Sequence, residues 1–488
     1  MENQDKKPNI IAIIGAIVLL VLAVVGLSYA FFSAFIKNGE TDPSIEGTGA
    51  NLSLVYTDGK SVITSSNIMP GWSATKTFTV TNNGEADTYY KLNISNITNE
   101  FVEGGLTFSI ASADGGTSVA EQAVGTTTRT ISPSITIAEG ATHTYTITAK
   151  YVNLDKDQTP DLGKSFSYTI GIEASQKPTF KDIILANNEV KTPITTPGAA
   201  VSTSSEALLA SAEDDYGTSY YFRGAVTNNY VEFANKCWRI VRIGGDNTVK
   251  LILHNDNISN ASNPCSSANN STTAAFVHYD GNIYKSEFNS NYNDNAYVGF
   301  MYGTPGSTTY EATHANTNKS TILTNLETWY NNNLKTYESV IDNNVFCNDK
   351  SLSSGSGYSA NATDYAARER LYTSKIPSLK CNGELSKITS KIGLITADEL
   401  AFAGYAVRGY ITTSYLKENA TGYSWWSLSP AGFYNKSLSY VFRVRSDNDA
   451  IDICNVNVDS SVRPVISLVS SITISGVSGT SEDPYVVK

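Results

Sequence analysis

The run Tyr423-Ser424-Trp425-Trp426-Ser427-Leu428-Ser429-Pro430 decides how the larger part of this chain folds. It is read with Val462-Arg463-Pro464-Val465-Ile466-Ser467-Leu468, about one hairpin further on. Side chains along a strand alternate between faces, so two adjacent tryptophans must point to opposite sides of one sheet. One ring is expected in the core. The other is expected on a face or beneath a covering loop, where a half-exposed aromatic is either a lid or a contact surface. Between the two runs, residues 440–445 and 450–455 flank a Ser446-Asp447-Asn448-Asp449 turn, so the tryptophans belong to a C-terminal sheet. Residues 472–477 and 484–487 read as one last pair of strands.

Upstream, Ile395-Thr396-Ala397-Asp398-Glu399-Leu400 is the strongest local signal in the chain. Thr396 and Glu399 have capping-box spacing, and Ile395 and Leu400 form a hydrophobic staple, so a helix starts near Thr396 and ends by Gly404 or Gly409. Ser320 can cap a second helix to about Leu334, with Ile322, Leu326, Trp329 and Tyr330 on one face. Residues 362–371 read as a shorter helix. Residues 255–320, rich in Asn, Ser and Thr, are expected to loop over the surface. Before them, residues 220–225, 230–233, 237–243 and 248–254 form a meander, its last two strands joined by Gly244-Gly245-Asp246-Asn247. Strands, two or three helices and a closing sheet make residues 207–488 an α+β domain.

Residues 50–175 are different in kind. They hold no cysteine and break into short alternating runs: Leu52, Leu54 and Tyr56; Phe78 and Val80; Tyr90, Leu92 and Ile94; residues 106–110; Tyr145, Ile147 and Ala149; Phe166, Tyr168 and Ile170. Asn82-Asn83-Gly84 and Asp114-Gly115-Gly116 are turn chemistry. Seven or eight strands in this span predict an all-β sandwich. The acidic stretch at 153–161 lacks the glycine and bidentate glutamate of a calcium loop and is expected to be a solvated connection. Residues 176–206, with Pro178, Pro193 and Pro197 among Thr, Ser and Ala, read as a linker holding a short ordered piece near 180–186.

The chain opens with a polar tail, residues 1–9. From Ile10 to Ile36 it carries no charge for 27 residues, roughly 40 Å of helix against a hydrocarbon core of ~30 Å. This is a transmembrane anchor with its N-terminus inside and the rest of the chain outside, or a signal cleaved near Ala30. Residues 37–49 join it to the sandwich. The fold class expected is thus multidomain: an N-terminal transmembrane helix, an all-β sandwich, then the α+β domain.

Forty-six acidic against thirty-five basic residues give a net charge of −11. With no basic cluster, this argues against nucleic acid as a partner. The four histidines show no ligand spacing and no C-x-x-C pair exists, so neither metal nor cofactor is expected. The five cysteines all lie in the second half. Outside the cell they favour disulfides, Cys237 with Cys265 and Cys347 with Cys381, leaving Cys454 over. The alternatives are a fully reduced set, or Cys237 paired with Cys454.

Two resemblances add to this reading. Met69-Pro70-Gly71-Trp72, Phe78-Thr79-Val80-Thr81-Asn82-Asn83-Gly84 and Tyr89-Tyr90-Lys91-Leu92 resemble the β-sandwich of camelysin-like and biofilm-fibre surface proteins. That resemblance implies a structural or fibre-forming module. Cys237-Trp238-Arg239-Ile240-Val241-Arg242, Val345-Phe346-Cys347-Asn348-Asp349, the capped segment at Thr396, Trp425-Trp426-Ser427-Leu428-Ser429-Pro430 and Val462-Arg463-Pro464-Val465 resemble a surface domain of Gram-positive-type gut bacteria. Its layout is similar to C-type-lectin-like folds, including formylglycine-generating enzymes. The cysteine pair of those enzymes and the E-P-N, Q-P-D and W-N-D motifs of calcium-dependent lectins are absent here. Neither oxidase chemistry nor calcium-mediated sugar binding is implied.

The residues themselves suggest a contact surface. Trp425, Trp426, Tyr423 and Phe433 could stack on a sugar ring. Arg443, Arg445 and Arg463 together could bind a carboxylate or sulfate, although pairing of such arginines with Asp447, Asp449 or Asp452 is the commoner arrangement. The function expected is binding or adhesion at a cell surface, with a glycan or another surface protein as partner. The alternative is a fibre subunit that self-associates through its sandwich. An extracellular enzyme is a third reading, for which no nucleophile motif stands in the sequence.

Overall fold

The computed structural model describes residues 54–58, 68–84, 87–175, 178–409, 413–435, 437–472, 474–475 and 478–487. The apolar run from Ile10 to Ile36, with its anchor or signal reading, lies outside them. No helix among the described residues is long and apolar enough to cross a membrane. The chain divides into two compact units between Pro178 and Thr179.

The first unit is a β-sandwich with eight strands among the described residues: β1 (Leu54–Asp58), β2 (Trp72–Asn82), β3 (Thr88–Asn99), β4 (Leu106–Ser112), β5 (Val119–Ala123), β6 (Arg129–Ile137), β7 (Thr142–Tyr151) and β8 (Phe166–Ser175). One sheet has the order β1-β2-β7-β4-β5 and the other β6-β3-β8, all pairs antiparallel. The period-two pattern sets the inner faces. Phe78 on β2 stands opposite Tyr145 on β7, with ring centroids 4.9 Å apart, and both are buried. From the other sheet, the Tyr90 hydroxyl meets the Tyr145 hydroxyl at 2.6 Å and His143 Nδ1 at 2.8 Å, so a polar contact joins the sheets inside an apolar core. The connection at 153–161 is less solvated than expected. Buried Asp161 accepts from the Val102 amide at 2.7 Å and the Tyr151 hydroxyl at 2.9 Å, which pins it to the sandwich.

The second unit starts earlier than composition suggested. Thr179 and Asp182 form a capping box on the helix Phe180–Asn187, whose Phe180 and Ile184 are buried in the core. The ring of Phe180 meets Tyr485 at 5.3 Å, and Asn187 Nδ2 donates to the Tyr485 hydroxyl at 3.1 Å. Residues 188–206 are likewise anchored. The buried Glu206 carboxylate accepts from the Ile194 amide at 2.9 Å and pairs with Arg223 Nε at 3.0 Å. The linker reading of this segment is therefore corrected. Its Ser, Thr and Pro content describes an ordered coil held by one buried ion pair.

The meander is present as β9 (Ala207–Asp214), β10 (Gly217–Gly224), β11 (Tyr230–Phe233), β12 (Lys236–Ile243) and β13 (Val249–Asn255). Val465–Leu468 extends the sheet beyond β13, and Tyr485–Val487 pairs in parallel with β11. A second sheet is built on Trp425–Tyr434, which pairs with Leu438–Val444 and with Thr363–Tyr365. Trp425 to Phe433 are buried without a break, so both faces of this strand are covered. Trp426 Nε1 donates to the Ser286 carbonyl at 2.7 Å, and Trp425 lies beneath Arg463. Of the two placements expected for the second tryptophan, an open face or a place beneath a covering segment, the structure has the covered one: alternation holds, and each face meets protein.

The helix Thr321–Asn333 is capped by Ser320, and Ala397–Phe402 carries the expected Thr396/Glu399 capping box. The Ala397 amide donates to Ser429 Oγ at 2.9 Å, docking that helix on the tryptophan strand. Residues 362–371 divide between the strand Thr363–Tyr365 and the helical turns Ala366–Arg368 and Glu369–Ser374. Residues 255–320 do not merely loop over the surface. Phe276, Val277, Phe288, Val298 and Phe300 among them are buried in the core. Two disulfides, Cys237–Cys265 and Cys347–Cys381, close loops with sequence separations of 28 and 34, and buried Cys454 is free.

Candidate functional site

The aromatic and arginine residues singled out by sequence do not form one surface. Trp425, Trp426, Phe433 and Arg463 are fully buried, which removes them as ligand contacts. Arg443 is half-buried and donates to Ser460 Oγ at 3.3 Å. Arg445 pairs with Asp447 through Nε at 2.9 Å and with Asp452 through Nη1 at 3.2 Å. The three guanidinium groups do not converge, because Arg463 points into the core and donates to backbone carbonyls. Of the four aromatics only Tyr423 is exposed, at 36%, with Lys285 Nζ 5.1 Å from its ring centroid.

A concavity of the second unit lies elsewhere, where β12, β13 and the capped helix meet. It has two adjoining parts of about 420 and 370 Å³, which share Arg242, Lys250, Val345, Cys347 and Leu379. Its floor is an ion-pair network. Glu399 Oε1 accepts from Arg242 Nε at 2.9 Å and Lys250 Nζ at 2.7 Å, while Glu399 Oε2 accepts from the Thr396 amide at 3.0 Å. Arg242 Nη1 also reaches Asp214 at 2.8 Å. Alongside, Arg370 holds Asp398 with two bonds of 2.8 and 2.9 Å and Asp349 with one of 2.7 Å.

Burial works on these charges and the partners answer it. Burial alone would push the Glu399 carboxyl up, but Lys250 and Arg242 hold it at about 2. Burial opposes the charge on Arg242, and Glu399 and Asp214 raise its pKa nonetheless. For Lys250 burial wins, and its pKa falls despite Glu399. The floor is thus rigid and internally matched.

The rim is open and polar. Tyr216 is 54% exposed. Asp215 takes the Cys381 amide at 3.2 Å, Asp246 takes the Thr248 amide at 3.0 Å, and Asn344 donates to Thr248 Oγ1 at 2.7 Å. Each of these groups is oriented by a local bond while retaining unused hydrogen-bonding capacity. Cys347 and Cys381 both line the cleft, so their disulfide ties its wall. Such a rim can donate to and accept from hydroxyl groups while Tyr216 offers a flat apolar face.

Sequence reasoning did not single out this cleft, because its residues come from segments far apart in the chain. One signal was available. Lys250 stands inside Val249-Lys250-Leu251-Ile252-Leu253, and a charge within an apolar strand needs a buried partner. Among the described residues no group of three or more His, Cys, Asp or Glu is placed to hold a metal ion. Comparison with protein-family models finds no match, and comparison with curated proteins finds none either.

Proposed function

We propose that this is a surface protein anchored through the run from Ile10 to Ile36, with a binding head, residues 179–487, that recognises a glycan. The observation that carries the reading is the cleft rim, where Tyr216, Asp215, Asp246 and Asn344 surround a floor whose own charges are already matched. Aromatic faces and oriented carboxylates or amides suit the alternating apolar and hydroxyl surfaces of sugar rings. Two disulfides support an extracellular location. The pairing of two sheets with a capped helix supports a C-type-lectin-like layout for the head. In chain order the sandwich lies between the anchor and the head, as a stalk would.

The test is a glycan array followed by calorimetry on the full chain, with Tyr216→Ala, Asp246→Asn and, for comparison, Tyr423→Ala. Binding lost in the first two and kept in the third supports the cleft. Absence of any glycan binding, or binding indifferent to Tyr216→Ala and Asp246→Asn, rejects it.

A specific feature favours a second reading, fibre assembly through the sandwich. Strand β8 is ten residues long and forms an edge of its sheet, paired only with β3 among the described residues. The other edge of that sheet, β6, contains Pro133, which blunts strand addition, whereas β8 has no proline. Filaments that form from the wild-type chain and vanish when Thr169 is replaced by proline would favour this reading.

A further inference from the structure

The two sequence runs that mark the head, one holding Trp425 and the other Arg463, meet inside it around a group of hydrogen-bond donors without acceptors. Arg463 is fully buried. Its Nε donates to the Leu253 carbonyl at 2.8 Å and its Nη1 to the Leu416 carbonyl at 2.6 Å, but its Nη2 has no partner. No carboxylate lies within ion-pair distance of it among the described residues, and burial lowers its pKa to about 10. The guanidinium lies over the indole of Trp425, 5.1 Å from the ring centroid, and Trp425 Nε1 is also unpartnered.

The carbonyls that hold Arg463 belong to the chain neighbours of two further orphans, His254 and Tyr415. The Tyr415 hydroxyl is buried without a partner. Asn419 Nδ2 approaches His254 Nε2 at 3.2 Å. An amide N–H can only donate there, so the hydrogen of the neutral imidazole lies on Nδ1, which is the atom left unpartnered. Four buried groups, a guanidinium, an indole, a phenol and an imidazole, thus each offer a hydrogen and lack an acceptor. Arg239 stands beside them, 5.2 Å from the Tyr415 ring centroid, and Glu418 at 2.9 Å supplies its counter-charge. With His254 neutral, two guanidinium charges face one carboxylate, leaving one positive charge unmatched.

Buried donors are satisfied almost without exception, and an unmatched buried charge costs several kcal/mol. What is missing is an acceptor bearing one negative charge, and with Arg463, Trp425 and His254 fully buried and Tyr415 nearly so, only a small one would be admitted. We propose that the Arg463, Trp425, Tyr415 and His254 donors hold a single small monovalent anion of the halide class inside the head. The site is distinct from the cleft and does not depend on the glycan reading.

The experiment is thermal unfolding of the full chain in sodium chloride against sodium gluconate at constant ionic strength, with crystals grown in bromide as a structural readout. Expected are a saturable rise in melting midpoint with chloride or bromide, and anomalous bromide density within hydrogen-bonding distance of Arg463 Nη2. Tyr415→Phe removes one donor at nearly constant volume and should weaken the apparent halide affinity about tenfold. Trp425→Phe, which removes the indole donor, serves as the second variant. Equal midpoints in chloride and gluconate with ordered water alone at the site would overturn the proposal. So would a halide effect left unchanged in both variants, which would place the ion elsewhere. If neither variant folds, the wild-type halide titration and the bromide density decide.

Discussion

Arg242 Nε meets Glu399 Oε1 at 2.9 Å, tying the middle of the meander sheet to the first turn of the capped helix. One carboxylate here does two things: Oε1 neutralises Arg242 and Lys250, and Oε2 closes the capping box on Thr396. Both roles are buried, so neither is weakened by solvent.

Glu399→Gln keeps a side chain able to complete the capping box but strips Lys250 of its counter-charge. Removing one partner of a buried pair costs about 3–5 kcal/mol, and urea unfolding should show a loss of that order with an unchanged slope. The same residue sets an acid limit. Its folded pKa of about 2 lies below the unfolded value, so its contribution is present above about pH 4.5 and is lost as pH falls toward 2. Glu399→Gln should flatten that part of the stability profile; an unaltered acid limb would contradict the pairing.

Lys350 gives a dependence of the same sign in an alkaline window. It is buried, donates to the His314 carbonyl at 3.1 Å and Asn316 Oδ1 at 2.6 Å, and burial lowers its pKa to about 7. Between pH 7 and 10 the unfolded chain therefore binds one proton more than the folded one at this site, and stability rises with pH by up to ~1.4 kcal/mol per unit. In Lys350→Met this slope should diminish, whatever the absolute stability. Parallel profiles for the two proteins across that window would show the ammonium to be charged in the folded state.

Trp426 and Tyr423 separate core from surface three residues apart. Trp426→Ala removes a buried ring packed on Phe288 and orphans the Ser286 carbonyl, and should cost about 3–5 kcal/mol. Tyr423→Ala, at an exposed ring, should change stability by only about 0.5 kcal/mol. Chemical denaturation of the two variants gives the comparison directly.

Each disulfide closes a loop of about 30 residues and should contribute about 3 kcal/mol. Non-reducing peptide mapping should recover Cys237 with Cys265 and Cys347 with Cys381. Cys454 is buried, and burial raises its pKa, so alkylation should require unfolding. Rapid labelling of Cys454 in the native protein would contradict this placement.

What could be read from the sequence is local. Ser320 and Thr396 announce their helices because a cap is a contact between residues three apart. The sandwich strands with clean alternation, such as β7, could likewise be read. Strands β5 and β6 could not: Val119-Ala120-Glu121-Gln122-Ala123 carries little period-two pattern, and in β6 the alternation of Ile131, Ile135 and Ile137 is interrupted by Pro133, which argues against a strand. Asn-rich residues 255–320 looked like surface because composition does not reveal that amides serve buried backbone. Asn295 Nδ2, for example, donates to the carbonyls of Ser359 and Asn361, both at 2.8 Å. The cleft was invisible for a related reason: Arg242 and Glu399 are 157 positions apart, and only the fold makes them neighbours.

The contact between Asn187 and Tyr485 joins residues 298 positions apart. It sets an order of events. The outer edge of β11 and the inner side of the helix Phe180–Asn187 wait for a strand made 298 residues after that helix. Until Tyr485 arrives, an open strand edge and an apolar helix face remain bare together. The head thus cannot complete its fold until Tyr485 has been made, and a truncation just before Tyr485 would leave its first helix without that contact.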